Sequence, residues 1–118
     1  MAFVEERVRQ IERAYAPLLQ DVLVLHLTEE TLRLVLVLND GMTLRVVERW
    51  QYRKLVRYSY YWLDVEDRLR VGWDNAPHHH RLDNVPHHKH VGEQAIRVPS
   101  YETCLEEVMA VLAKERPR

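Results

Sequence analysis

Thr31 to Trp50 reads TLRLVLVLNDGMTLRVVERW, two alternating stretches about a turn. Leu32, Leu34, Leu36 and Leu38 recur at every second position before the turn, and Leu44, Val46, Glu48 and Trp50 do so after it. A period of two sends alternate side chains to opposite faces of a strand, so Thr31–Leu38 and Met42–Trp50 read as strands with one buried face each. Asn39-Asp40-Gly41 between them is a hairpin signal, because Asp-Gly accepts the positive φ angles of a primed turn. Outward from this hairpin, Asp21–Thr28 (DVLVLHLT) alternates as well and meets Thr31 through Glu29-Glu30. On the other side Lys54–Leu63 and Arg68–Asp74 are separated by the polar turn Asp64-Val65-Glu66-Asp67. Short connections force antiparallel pairing of consecutive strands, which predicts a five-stranded meander in chain order.

Helical periodicity frames the sheet. Val4, Val8, Ile11, Tyr15 and Leu18 form one apolar stripe with charges around it, and Pro17 marks its end. Ser100, after Pro99 and before Glu102, is a candidate N-cap for a last helix whose apolar face is Leu105, Val108, Met109 and Leu112. Both helices are expected on one face of the sheet, giving a single α+β domain over residues 1–118. Cys104, the one cysteine, reads as a packing residue beside that last stripe and excludes an internal disulfide.

With 118 residues, 47% hydrophobic and 30% charged, the chain has the balance of a soluble globular domain. Seventeen Lys and Arg against eighteen Asp and Glu exclude nucleic-acid binding by bulk positive charge and leave room only for a local patch. The apolar runs are too short for a membrane span, and MAFVEERVRQIER has no apolar signal core, so the expected compartment is the cytoplasm. Fourteen of the seventeen basic residues are Arg and amides are few, which fits a heat-adapted protein or a GC-rich genome.

Histidine is where chemistry concentrates. Six of the seven histidines lie between His78 and His90, in a Pro-rich stretch from Asn75 to Pro99 without sustained period, read as a long loop. Trp73-Asp74-Asn75-Ala76-Pro77-His78-His79-His80 opens it, and Pro86-His87-His88-Lys89-His90 follows. Imidazoles beside a carboxylate, an amide and Lys89 are the parts for acid/base work on a phosphodiester. Zinc, copper or nickel ligation through the same histidines stays open, although three consecutive residues cannot all face one ion, and so does a surface loop without a site. The two His groups are expected to meet in one pocket at the end of the fifth strand.

Two further features stand out. Glu48 projects from the buried face of its strand and needs a partner, an Arg such as Arg57 on the neighbouring strand, or serves as an acid/base facing the His loop. Arg49 to Trp62 (RWQYRKLVRYSYYW) is rich in Arg and aromatics without an acid. Arg53 and Arg57 would neutralise phosphates and aromatic rings would stack bases, although one face of that strand must be core.

The run Tyr58-Ser59-Tyr60-Tyr61-Trp62, then Arg70-Val71-Gly72-Trp73-Asp74-Asn75-Ala76-Pro77-His78-His79 and Pro86-His87-His88-Lys89-His90, resembles the TumE family, toxins of bacterial and archaeal type II toxin–antitoxin systems. The resemblance spans about residues 48–90, with the N-terminal helix and first strands alike only in general layout. It implies a protein antitoxin that neutralises the chain by direct binding. Glu48, Tyr58, Tyr60, Asp74, Asn75, His78, His79, His87, His88 and His90 fall on the family's motif. The chain departs in carrying Tyr61 where a His is expected and in extending the first run to His80.

The leading reading is a toxin acting on RNA as an endoribonuclease without a metal. His87, His88 and His90 would be acid/base and phosphate groups, Asp74 would orient one imidazole and Lys89 would hold phosphate. Asn75, His78, His79, Tyr58 and Tyr60 join Arg53 and Arg57 as substrate contacts. The alternatives are a non-catalytic module that binds nucleic acid or the antitoxin, and a metal-binding hydrolase using a divalent ion in the His cluster. A homodimer is compatible with either class.

Overall fold

The computed structural model describes residues 2–76, 87–92, 97–99 and 102–115. The alternation around Asn39-Asp40-Gly41 becomes a pair of strands, β2 (Thr31–Leu38) and β3 (Thr43–Gln51), in antiparallel register with Leu34 opposite Val46 and Leu36 opposite Leu44. The helix α1 (Phe3–Tyr15) and a short 3-10 turn over Ala16–Leu18 precede β1 (Leu19–Leu27). After β3 come β4 (Lys54–Leu63) and β5 (Leu69–Asp74), then β6 (His88–Val91), β7 (Arg97–Pro99) and the helix α2 (Leu105–Glu115). Each strand pairs with the next, antiparallel, in the order β1-β2-β3-β4-β5-β6-β7.

The meander therefore continues past the predicted fifth strand: described parts of the His-rich stretch add β6 and β7 to the sheet. His88-Lys89-His90-Val91 has no apolar alternation to announce a strand, and the pairing of Val71 with Val91 through Asp74 with His88 supplies what local sequence lacks.

One core holds the layers together. Val4, Val8 and Ile11 of α1 and Leu105, Val108, Met109 and Leu112 of α2 pack with Leu32, Leu34, Leu36, Leu38, Leu44, Val46, Tyr58, Tyr60, Trp62 and Trp73. Both helices thus cover the same sheet face, as predicted. Each fully buried leucine here contributes about 1.5–3 kcal/mol. The molecule measures 39 × 38 × 21 Å, the thickness of one sheet and one helix layer. Among the described residues no helix covers the other sheet face, called the open face below.

Turns and caps correct two local expectations. Gly41 alone takes positive φ (87°) in the β2–β3 connection, its N–H donates to the Leu38 carbonyl, and Leu38 N–H donates to Met42. This is a three-residue loop with a bulge glycine rather than a primed turn. The primed geometry sits between β3 and β4, where Tyr52 and Arg53 have φ of 52° and 63° and Gln51 pairs with Lys54. The last helix begins at Leu105, not after Ser100, which lies outside the described residues. Glu107 accepts from the N–H and hydroxyl of Thr103 and from the Cys104 thiol, and so caps the first turn from within. Burial pushes the Cys104 thiol up from its ordinary value, in keeping with a packing role.

Candidate functional site

The pleat of the sheet sorts the candidate residues onto two faces. Glu48, Tyr58 and Tyr60 point to the helices, where Glu48 is fully buried. Its partner is Arg7 of α1, not Arg57. Arg7 Nε and Nη2 donate to the two Glu48 oxygens at 3.0 and 2.9 Å, Trp50 Nε1 adds a bond at 3.0 Å and the Tyr60 hydroxyl one at 2.6 Å. Glu48 is thereby engaged by four donors. Arg7 also donates to Glu106 of α2 at 2.6 Å and to Gln10 at 3.0 Å, so one guanidinium joins both helices to the sheet. Burial alone would lower the Arg7 pKa, yet its bonds to Glu48 and Glu106 outweigh this and hold it above its ordinary value. Burial, then the Glu48 charge and its bond, push the Tyr60 phenol well up. The sequence signal for Arg7 was its place between Val4, Val8 and Ile11 on the buried stripe of α1.

The described side chains of the Pro-His-His-Lys-His run lie on both faces of the sheet. His87 stacks on Tyr58 on the helix side, with its Nδ1 2.9 Å from the Tyr58 hydroxyl. Lys89, opposite Trp73 in register, pairs with Glu102 at 3.3 Å, and Glu102 also accepts from Trp73 Nε1 at 2.8 Å. Burial, then the Asp74 charge, push the Tyr58 phenol up. His90 belongs to the other face. Its Nε2 lies 2.9 Å from Asp74 Oδ2, and both residues are buried, at 1% and 5% exposure. The His88 backbone is the register partner of Asp74, while its side chain lies outside the described residues, as do His78, His79 and His80. The expected meeting of the two His groups thus falls outside them too.

Asp74 is held on both oxygens: Ala76 N–H donates to Oδ1 at 3.1 Å, and the Tyr61 hydroxyl reaches Oδ2 at 3.4 Å. Tyr61 also meets the His90 ring edge-on. Gly72 makes this possible, because a Cβ there would stand 2.5 Å from the Tyr61 ring. The register row Arg45–Tyr61–Gly72–His90 therefore lays a phenol across the sheet where a side chain would otherwise stand. Asn75 works differently. Its Oδ1 accepts from Tyr58 N–H and its Nδ2 donates to the Val56 carbonyl, prolonging the β4–β5 ladder past the last strand residue. It positions Asp74 and takes part in no described side-chain group with His90.

The open face is also basic. Arg33, Arg45, Arg49 and Arg57 are exposed on it, and among the described residues none has an ion pair. Arg49 and Arg57 are direct register partners. Like charges directly opposite one another in a sheet destabilise it, and an anion between them removes that cost. Arg53 lies apart at the β3–β4 turn, its guanidinium 5.3 Å from the centroid of Phe3. His26 is exposed on β1, opposite Arg33 and away from the other histidines.

Comparison with known families agrees with the motif reading and extends it: the family described as Toxin TumE matches residues 6–116. The chain belongs to the TumE family. The match takes in most of α1, every described strand and α2, beyond the stretch whose residues resembled the family. No curated protein and no solved structure matches the chain. Membership in the TumE family gives it the general character of a toxin with an antitoxin as partner. No helix among the described residues is long and apolar enough to cross a membrane.

Proposed function

We propose that this TumE family member is the toxin of a type II system, held in check by a protein antitoxin, and that it cleaves RNA in the cytoplasm without a metal. The buried Asp74–His90 pair on the arginine-bearing open face carries the reading. A carboxylate bonded to one imidazole nitrogen fixes the tautomer and orientation of the ring and stabilises it when protonated. His90 then takes the proton of a ribose 2′-hydroxyl, the 2′-oxygen attacks the adjacent phosphorus, and the bond to the 5′-oxygen breaks to leave a 2′,3′-cyclic phosphate. Arg49 and Arg57 hold the phosphate backbone beside the pair. We assign protonation of the leaving 5′-oxygen to His88, whose backbone lies opposite Asp74. His87, Lys89 and Glu48, engaged on the helix side, support the sheet in this scheme.

The test is cleavage of a single-stranded RNA by the purified chain. Asp74→Asn and His90→Gln should each slow it by on the order of 100-fold or more, the scale of a lost acid/base group. The rate should be bell-shaped around neutral pH and indifferent to EDTA. Loss of cleavage in EDTA with recovery on adding zinc or manganese would sink the scheme in favour of a metal centre. RNA binding that weakens in Arg49→Ala and Arg57→Ala, with no cleavage by the parent chain, would identify a binding module instead.

A further inference from the structure

Among the described residues, four of the eight large exposed apolar side chains lie on one strand: Leu23, Val24, Leu25 and Leu27 of β1, with Leu25 at 62% exposure. β1 is an edge strand, and Leu25 sits at a register shift between Val24 and His26 that lifts it out of the ladder. Beside it, on the open face, lies a shallow depression of about 240 Å³ with Leu25, Val35 and Val47 around its floor. Arg33 and Arg45 also line it, and among the described residues no carboxylate does. An apolar floor flanked by two cations that form no ion pair among the described residues suits an apolar anchor with carboxylates beside it. It suits a nucleic acid poorly, since phosphates have no use for the valine and leucine surface. Among the described residues no helix covers this sheet face, and a further helix there would make a third layer.

We propose that this depression over β1–β3 is the docking site for an acidic amphipathic helix of the antitoxin. One large apolar side chain of that helix would fill the depression, and carboxylates about one turn to either side would meet Arg33 and Arg45. Arg45 is the register partner of Tyr61, whose hydroxyl reaches Asp74, so β4 separates the docked helix from the strand that carries Asp74. The inference rests on family membership and this surface, not on the ribonuclease reading, whose own test is RNA cleavage by the chain alone.

Calorimetry with the intact purified antitoxin tests it. The double variant Arg33→Glu/Arg45→Glu should raise Kd by on the order of 100-fold, as expected for reversing two charged contacts. Arg9→Glu, exposed on α1 at the far side of the molecule, should change it less than about threefold. Reversing the matching antitoxin carboxylates to Lys should restore binding to the double variant and to no other. Unchanged affinity in the double variant, or equal loss in Arg9→Glu, overturns the proposal. So does a homodimer of the chain alone that Leu25→Glu dissociates, which would make a second copy the occupant. Loss of oligouridylate binding in the double variant with the antitoxin affinity intact would assign the depression to RNA and also overturn it.

Discussion

Gly72 shows how much one missing side chain decides. Its neighbour Tyr61 uses the space to touch both Asp74 and His90, and a methyl group placed there would overlap the ring at 2.5 Å. Gly72→Ala should therefore push the phenol away and loosen the Asp74 carboxylate. If the proposed chemistry holds, the variant loses roughly tenfold or more in RNA cleavage while keeping its helix content by circular dichroism. Tyr61→Phe keeps the ring and removes the hydroxyl with its 3.4 Å bond to Asp74, and should cost less than Gly72→Ala, which separates occupying the row from donating to Asp74. Equal activity of both variants to the parent would remove Tyr61 from the site. In the sequence, Gly72 was one letter of a motif and Tyr61 a departure from it. Their meaning lies in the register of two strands, which neither residue encodes by itself.

Turns carry strain that a strand pattern hides. Tyr52 and Arg53 both hold left-handed φ angles that asparagine and glycine adopt more cheaply. Tyr52 is 97% exposed, so Tyr52→Asn should raise stability by about 0.5–1 kcal/mol, read from chemical denaturation. Arg53 offsets part of its own cost by lying over Phe3, which ties the turn to the start of α1. Asp67 is the corresponding case in the β4–β5 connection: its φ is 62°, and its N–H donates to Asp64 just as that of Gly41 donates to Leu38. The strands β2 and β4 were legible to the residue because hydrophobic alternation and turn residues agree there. β6 and β7 were not, because polar residues added to a sheet already formed need only a neighbour with free backbone groups.

At the scale of the molecule, the buried Arg7 couples the two helices to β3 through Glu48 and Glu106. Removing it in Arg7→Met leaves the Glu48 charge buried without its counter-ion and should cost about 3–5 kcal/mol of unfolding free energy. Glu106 offers a pH test. Its partial burial opposes ionisation, but the bond from Arg7 outweighs that and lowers its pKa below the ordinary 4.5. The resulting stability is fully present above the unfolded value and is lost as pH falls through the lowered folded value. Melting followed from pH 7 to 3 should therefore show an acid limb that flattens in Glu106→Gln; an unchanged limb would mean the pair contributes nothing. The amino-acid sequence by itself determined the antiparallel order, the helices at each end, the buried position of Glu48 and the motif that marks the family. Each of these follows from local periodicity or from residues close together in the chain. Only the tertiary structure decided that Glu48 answers Arg7, that His87 and His90 part to opposite faces, and that Asp74 joins His90 on an open arginine-bearing sheet. Those outcomes depend on strand register and helix placement, which are fixed by packing among residues far apart in the chain.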